Sequence, residues 1–205
     1  YIETDFLDNF QFLDDKKSFV VLSEQNGFKH LYLYDMNGVK VKQLTEGNYD
    51  VIKFYGYDQV KKFFYYQAAA VVPMQREVYG ISLDKKKKVM LSTQAGTNNV
   101  DFSKGFKYYV NTFSNISTPN LVTLHDISGK QIRVLEDNSV LKGKLAGMQL
   151  PQKEFFKFTT SEGFELNGWM IKPVPFNPGA KYPVLMTQYS GPNSQQVLDK
   201  FLIDW

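Results

Sequence analysis

Apolar and polar residues alternate in short runs along the first two thirds of this chain, and the runs return at a fixed interval. Phe19–Gly27 (FVVLSEQNG), Phe63–Ala70 (FFYYQAAA) and Tyr108–Asn115 (YYVNTFSN) are strand-like segments that start 44 and 45 residues apart. Each is followed by a second run: Leu31–Asp35, Glu77–Leu83 and Leu121–Asp126. Turn chemistry comes next, as Met36–Asn37–Gly38, Asp84–Lys85 and Ile127–Ser128–Gly129, and then a third run, Lys40–Leu44, Lys88–Ser92 and Gln131–Leu135. One more short strand precedes each triplet, at Asn9–Leu13, Val51–Tyr57 and Asn99–Phe102. Four short antiparallel strands in a unit of about 45 residues is the pattern of propeller blades. A single four-stranded sheet cannot cover both of its faces, whereas radial stacking of sheets can. Asn37–Gly38 suits a tight hairpin because both residues tolerate positive φ, and Ser128–Gly129 does the same more weakly. A sandwich or barrel of meanders is the competing architecture; the even spacing favours blades. Three units are fewer than the roughly four to eight of a closed ring, so earlier blades are expected before Tyr1 in a longer parent chain.

After Leu135 the period is lost. Glu136–Asp137–Asn138–Ser139 is a polar cluster, and Asp137, Asn138 or Ser139 can cap the helix-compatible segment Val140–Leu145. Gly147 and Pro151 punctuate its exit. Glu154–Thr160 and Phe164–Lys172 read as a β-hairpin turned by Ser161–Glu162–Gly163, with a bulge or close approach at Gly168. Pro173, Pro175 and Pro178 with Gly179 make a surface loop. Tyr182–Thr187 is predicted to be a short apolar strand, more buried than the hairpin, running into a polar loop around Gly191–Pro192. Val197, Phe201, Leu202 and Trp205 share a helix face, which predicts a helix from Gln195 or Gln196 onward. Hairpin, strand, loop and helix is the opening of an α/β sheet. The predicted fold class is mostly β: about three four-stranded β-propeller blades over residues 1–138, a connection at 139–153, and the incomplete N-terminal part of an α/β domain at 154–205.

Composition sharpens this in a few places. Aromatic residues make up 16% of the chain, with 17 Phe and 13 Tyr, and flat bulk favours strands. The absence of cysteine excludes thiol catalysis, disulfides and Cys-ligated zinc. A net charge of +3, from 24 basic and 21 acidic residues, is too weak to point to nucleic acid. The densest basic run, Lys85–Lys88, reads as a solvated turn between two strands. No apolar run is long enough to span a membrane. His30 and His125 lie beside or within blade strands and read as structural. Neither a metal-ligand spacing, nor a Gly-rich phosphate loop, nor a G-x-S-x-G elbow occurs, so no metal or cofactor is implied. Tyr189 remains. A phenolic O–H on a loop at a strand's C-terminal end can donate one aimed hydrogen bond to a carbonyl under attack. The plainer alternative is a ring packed on the Gly191–Pro192 turn.

Tyr189–Gln195 (YSGPNSQ) closely resembles the Y-x-G-P-x-S-Q segment of the dipeptidyl peptidase IV family, within the prolyl oligopeptidase clan. Arg133–Ser139 (RVLEDNS) looks like the segment that closes this family's propeller, and Lys181–Tyr182–Pro183 resembles the residues entering its next hydrolase strand. The resemblance implies a propeller covering an α/β-hydrolase domain, in a serine exopeptidase that releases N-terminal Xaa-Pro and Xaa-Ala dipeptides. It makes Tyr189 one donor of the oxyanion hole, beside a backbone N–H next to the nucleophile. The serine, aspartate and histidine of the triad would lie beyond Trp205, and the glutamates that hold the substrate amino terminus before Tyr1. The 205 residues are therefore expected to be an inactive piece of a larger enzyme. Peptide substrates, pairing into homodimers and a periplasmic or cell-surface location follow from the same resemblance, with no cofactor and no nucleic acid. Two alternatives stand beside it: a non-catalytic propeller that binds protein or glycan, and another clan member, an oligopeptidase or acylaminoacyl peptidase.

Overall fold

In the computed structural model the described residues are 10–189, 191 and 194–201. Three four-stranded antiparallel sheets succeed one another along the chain. The first holds β1 (Phe10–Phe12), β2 (Ser18–Ser23), β3 (His30–Asp35) and β4 (Lys40–Gln43). The second holds β5 (Val51–Asp58), β6 (Phe63–Ala68), β7 (Glu77–Ser82) and β8 (Lys88–Met90). The third holds β9 (Thr97–Phe102), β10 (Tyr108–Asn115), β11 (Thr118–Asp126) and β12 (Gln131–Glu136). Each sheet is a meander whose strands pair with their neighbours in sequence. A helix, α1 (Ser139–Ala146), leads to a separate hairpin, β13 (Lys153–Thr159) and β14 (Glu165–Ile171).

Strand periodicity explains how the sheets stack. Side chains alternate between the two faces of a strand. On β6, Phe64, Tyr66 and Ala68 enter a core shared with Val20, Leu22, Leu31 and Leu33 of the first sheet. Tyr65 points the other way, into a core with Val78, Leu91, Val100 and Tyr109, which reaches the third sheet. The middle sheet is thus covered on both faces, and all six residues of β7 are buried. At the outer edge of the third sheet, every residue of β12 is exposed. Polar bonds tie the second and third sheets together as well. Tyr55 donates to Asn99 Oδ1 at 3.2 Å, and the Tyr109 hydroxyl donates to the Leu91 carbonyl at 2.9 Å. Burial pushes the Tyr55 phenol up to about 12.

The last hairpin of each sheet uses one device three times. Gly38 (φ 79°), Lys85 (φ 63°) and Gly129 (φ 92°) hold the left-handed position. The Asp35 carboxylate accepts the N–H groups of Asn37 and Val39, both at 2.9 Å, and Asp126 accepts those of Ser128 at 2.8 Å and Lys130 at 3.2 Å. Of the Asn37–Gly38 pair expected to tolerate positive φ in a tight hairpin, only Gly38 adopts it, and the turn spans the three residues between Asp35 and Val39. The Asp35 side chain decides this by holding the Asn37 N–H inside the turn.

Beyond the third sheet the structure refines the sequence reading at two points, the cap of α1 and the close approach at Gly168, and departs from it at two, residues 182–187 and 195–201. Asn138 occupies the N-cap of α1 with φ 53° and makes no side-chain cap bond; the Asp137 carboxylate accepts the Ser139 N–H at 2.8 Å instead. The β13–β14 ladder runs without a bulge, and Gly168 sits opposite Phe156. The glycine is there because the Phe156 ring lies over it: a Cβ would stand 2.4 Å from Phe156 Cζ. Residues 182–187 form no strand, and Val184, Leu185 and Met186 are 88%, 90% and 80% exposed, more so than the hairpin. An apolar segment becomes a strand only against a partner backbone, and none pairs with it among the described residues. Residues 195–201 are not helical. The Asp199 N–H, which a helix would direct at Gln195, donates to the Met74 carbonyl at 2.9 Å. Leu202 and Trp205 of the predicted helix lie outside the described residues.

Candidate active site

Tyr189 ends the extended segment and is 64% exposed. Its ring folds back over Gly191, where a Cβ would stand 2.7 Å from both Tyr189 Cε1 and Oη. Glycine is therefore required two residues after the tyrosine for the ring to lie where it does. The Gly191 carbonyl accepts the Ser194 N–H at 3.3 Å, and the Ser194 hydroxyl accepts Gln196 Nε2 at 2.8 Å. Ser190, Pro192 and Asn193 of the same motif lie outside the described residues.

The chain then docks onto the seam between the second and third sheets. Gln195 Nε2 donates to the Pro73 carbonyl at 2.7 Å, and its Oε1 accepts from the Arg76 guanidinium. Arg76 is 7% exposed and also donates to the carbonyls of Pro73 at 2.9 Å and Gln75 at 2.6 Å. Its own backbone is pinned to the third sheet: its N–H donates to Gly96 O at 2.9 Å, and its carbonyl accepts the Asn98 N–H at 3.0 Å. Asp199 completes the junction. Its Oδ2 accepts Gln75 Nε2 at 3.0 Å, its Oδ1 accepts the Ile116 N–H at 3.0 Å, and its carbonyl accepts the Thr97 hydroxyl at 2.9 Å. Beside it, Phe201 helps line a cavity of about 300 Å³ with Ile116, Leu145, Met148 and Ile171, where the third sheet, α1 and the hairpin meet.

Charge at the seam is set by burial. Desolvation lowers the Arg76 guanidinium from its ordinary value, against the opposing pull of Glu77 and Asp50. Burial likewise raises the Glu77 carboxyl, although the Ala70 and Val71 N–H groups and Arg76 act in the opposite direction.

Tyr189 is the one residue the sequence singled out for chemistry, and the structure brings no nucleophile–base pair to it from the other singled-out residues. His30 Nδ1 meets the Thr45 hydroxyl at 3.1 Å and its Nε2 meets the Gly47 carbonyl at 3.0 Å. His125 Nε2 meets the Thr123 hydroxyl at 2.8 Å and its Nδ1 the Gly129 carbonyl at 3.2 Å, with the ring stacked on Tyr109. Both histidines are engaged at strand ends, as their positions implied. Among the described residues no group of three His, Cys, Asp or Glu side chains could hold a metal ion. No described helix is long and apolar enough to cross a membrane. Sequence reasoning missed Arg76 and Asp199. A faint signal existed for the first: only two of the 24 basic residues, Arg76 and Arg133, are arginines, and a planar donor fork is used where lysine cannot replace it. Asp199 had no signal, because its partners lie about 80 to 125 residues away in the chain.

Comparison with known proteins agrees with this architecture. The family model described as "Dipeptidyl peptidase IV (DPP IV) N-terminal region" matches residues 1–120. The crystal structure of Porphyromonas gingivalis dipeptidyl peptidase 4 superposes with a TM-score of 0.93 at 43% identity, covering 100% of this chain and 29% of that one. Dipeptidyl peptidase 4 of Trichophyton rubrum is 32% identical over 189 residues, 90% of this chain and 24% of that protein. Dipeptidyl peptidase 4 of Arthroderma otae gives the same identity and the same coverage. The chain spans about a quarter of the length of the curated relatives it matches. Its three four-stranded sheets are a β-propeller region, and the segment after them is the start of an α/β domain. With a family model over more than half its length and a near-complete structural match, the chain belongs to the dipeptidyl peptidase IV family, in the prolyl oligopeptidase clan of serine peptidases.

Proposed function

We propose that this chain is part of a serine exopeptidase that releases Xaa-Pro and Xaa-Ala dipeptides from peptide N-termini, and that Tyr189 donates to the oxyanion of its tetrahedral intermediate. Residues 1–138 are read as the last blades of the propeller, 139–153 as the connection and 154–205 as the opening of the α/β-hydrolase domain. The observation that carries the reading is the presentation of Tyr189. An exposed phenol, its ring seated on Gly191, stands just before a segment fastened to the propeller. That exposure leaves its O–H able to point at a reacting carbonyl. In such a reaction a serine attacks the carbonyl, a histidine takes its proton and an aspartate orients the histidine. The histidines of this chain are engaged within the sheets, so the reading assigns all three groups to the rest of the parent protein. The propeller limits access to short or extended peptides. Homodimer pairing and a periplasmic or cell-surface setting belong to the same proposal.

Two measurements test it. In the full-length protein, Tyr189→Phe should lower kcat on a Gly-Pro or Ala-Pro substrate by roughly 100-fold, the usual cost of one oxyanion donor. An unchanged kcat removes Tyr189 from the mechanism. The 205-residue chain alone should give no turnover above a blank on the same substrates.

A further inference from the structure

Tyr189 is too exposed to hold its own hydroxyl in place. An oxyanion donor is effective only when it is already aimed before charge develops, and small misplacements are expensive in rate. Something outside the tyrosine must fix the loop. A continuous set of contacts runs from it to the propeller: Tyr189 on Gly191, Gly191 to Ser194, and Gln195 to Pro73 and Arg76. Gln195 stands only six positions after Tyr189, and the Ser194–Gly191 bond shortens that span further. The far anchor is rigid. Arg76 is buried, its guanidinium is held by two backbone carbonyls besides Gln195, and its main chain bridges to the third sheet.

Building on the oxyanion role given to Tyr189, we propose that Arg76, acting through Gln195, is a positioning residue that sets the Tyr189 hydroxyl from the propeller side. The propeller then does more than restrict access: the seam between its second and third sheets holds one wall of the reaction site. Asp199 supports the same junction by bonding to both sheets, so the loop is tied down at Gln195 and again four residues later.

The test is a double-mutant cycle in the full-length protein, with steady-state kinetics on Ala-Pro-p-nitroanilide. Gln195 is exposed, so the isosteric change Gln195→Met removes its hydrogen bonds without opening a core. It is expected to lower kcat roughly tenfold with KM little changed, since the loss is one of aim rather than of binding. Arg76→Lys, which keeps the charge and loses the planar fork, is expected to do the same. In the Tyr189→Phe background each change should cost less than about a further twofold, because the hydroxyl it positions is gone. Losses that multiply in the double variants would overturn the inference, as would a Gln195→Met enzyme with wild-type kcat. If Tyr189→Phe alone leaves kcat unchanged, the oxyanion reading itself fails. If Tyr189→Phe is slow and Gln195→Met is not, that reading stands and only the positioning role falls. Gln195→Met carries the decision if Arg76→Lys does not fold.

Discussion

Glu77 uses one of its carboxylate oxygens and leaves the other bare. Oε2 accepts the N–H groups of Ala70 at 2.9 Å and Val71 at 3.3 Å, while Oε1 is buried with no hydrogen-bond partner among the described residues. A buried acceptor without a donor is costly, and more so when charged. Burial accordingly raises the Glu77 carboxyl above its ordinary value of 4.5. For an acid raised in the folded state, the contribution to stability is fully present below the unfolded value and is lost as pH rises through the folded one. Glu77→Gln keeps an acceptor for both N–H groups and carries no charge. Thermal melts from pH 4 upward should therefore show a flatter profile for this variant and a higher Tm at pH 7; a wild-type slope would show that Glu77 does not titrate in this window. Lys85 offers a second residue-scale case. It holds at φ 63° a position that Gly38 and Gly129 hold in the other two sheets. A non-glycine residue there costs about 1–2 kcal/mol, and the extra chain entropy of glycine offsets about 0.5–1 kcal/mol of that. The Lys85–Glu46 ion pair, at 3.2 Å on the surface, adds little. Lys85→Gly is expected to stabilise by about 0.5 kcal/mol, read as a small rise in the denaturation midpoint.

At the scale of elements, two glycines with similar crowding should respond oppositely. Gly96 precedes β9 with φ 144°, and a Cβ there would stand 2.5 Å from the Ser114 carbonyl oxygen, which belongs to the β10 backbone. Neither the torsion nor the carbonyl can yield cheaply, and the Gly96 carbonyl also receives the Arg76 N–H. Gly96→Ala should cost at least about 2 kcal/mol. Gly168 faces the ring of Phe156, which is 38% exposed and can swing away, so Gly168→Ala should cost less than about 1 kcal/mol. Denaturant midpoints of the two variants, compared in one protein, check the ordering. The same distinction explains what could be read from the sequence. β10 falls at Tyr108–Asn115, where its apolar alternation put it, because a strand covered on at least one face must obey period two. Gly168 announced a close approach, but glycine alone cannot say whether the crowding atom is a backbone or a ring. The predicted strand at 182–187 failed because apolarity shows that a segment needs cover and cannot show where a partner backbone lies.

For the molecule as a whole, the candidate site divides along the same line. Tyr189 was legible because its motif is contiguous. The Arg76–Gln195–Asp199 junction was not, because it joins segments more than 100 residues apart whose side chains carry no period. Docking through hydrogen bonds also explains the missing helix: Asp199 satisfies its backbone and its carboxylate on the propeller, so the segment gains little from coiling. Among the described residues, two of the exposed apolar stretches lie in continuous runs of backbone. Val184, Leu185 and Met186 stand 80–90% exposed in a row, and β12 presents Ile132, Val134 and Leu135 at 43–48% exposure on a sheet edge. An unpaired edge with apolar neighbours is a template for pairing with another chain. A net charge of +3 over 205 residues supplies little repulsion to oppose this. The 205-residue chain in isolation should therefore self-associate, eluting as dimers or larger species whose proportion rises with concentration. Light scattering coupled to size exclusion would decide it, and a monomer that persists at high concentration would mean that these surfaces are covered within one chain. Replacing Leu185 with lysine separates the two sources. If the extended segment drives association, Leu185→Lys reduces it strongly; if the β12 edge does, the variant assembles as before and only charges placed at Ile132 and Val134 disperse it.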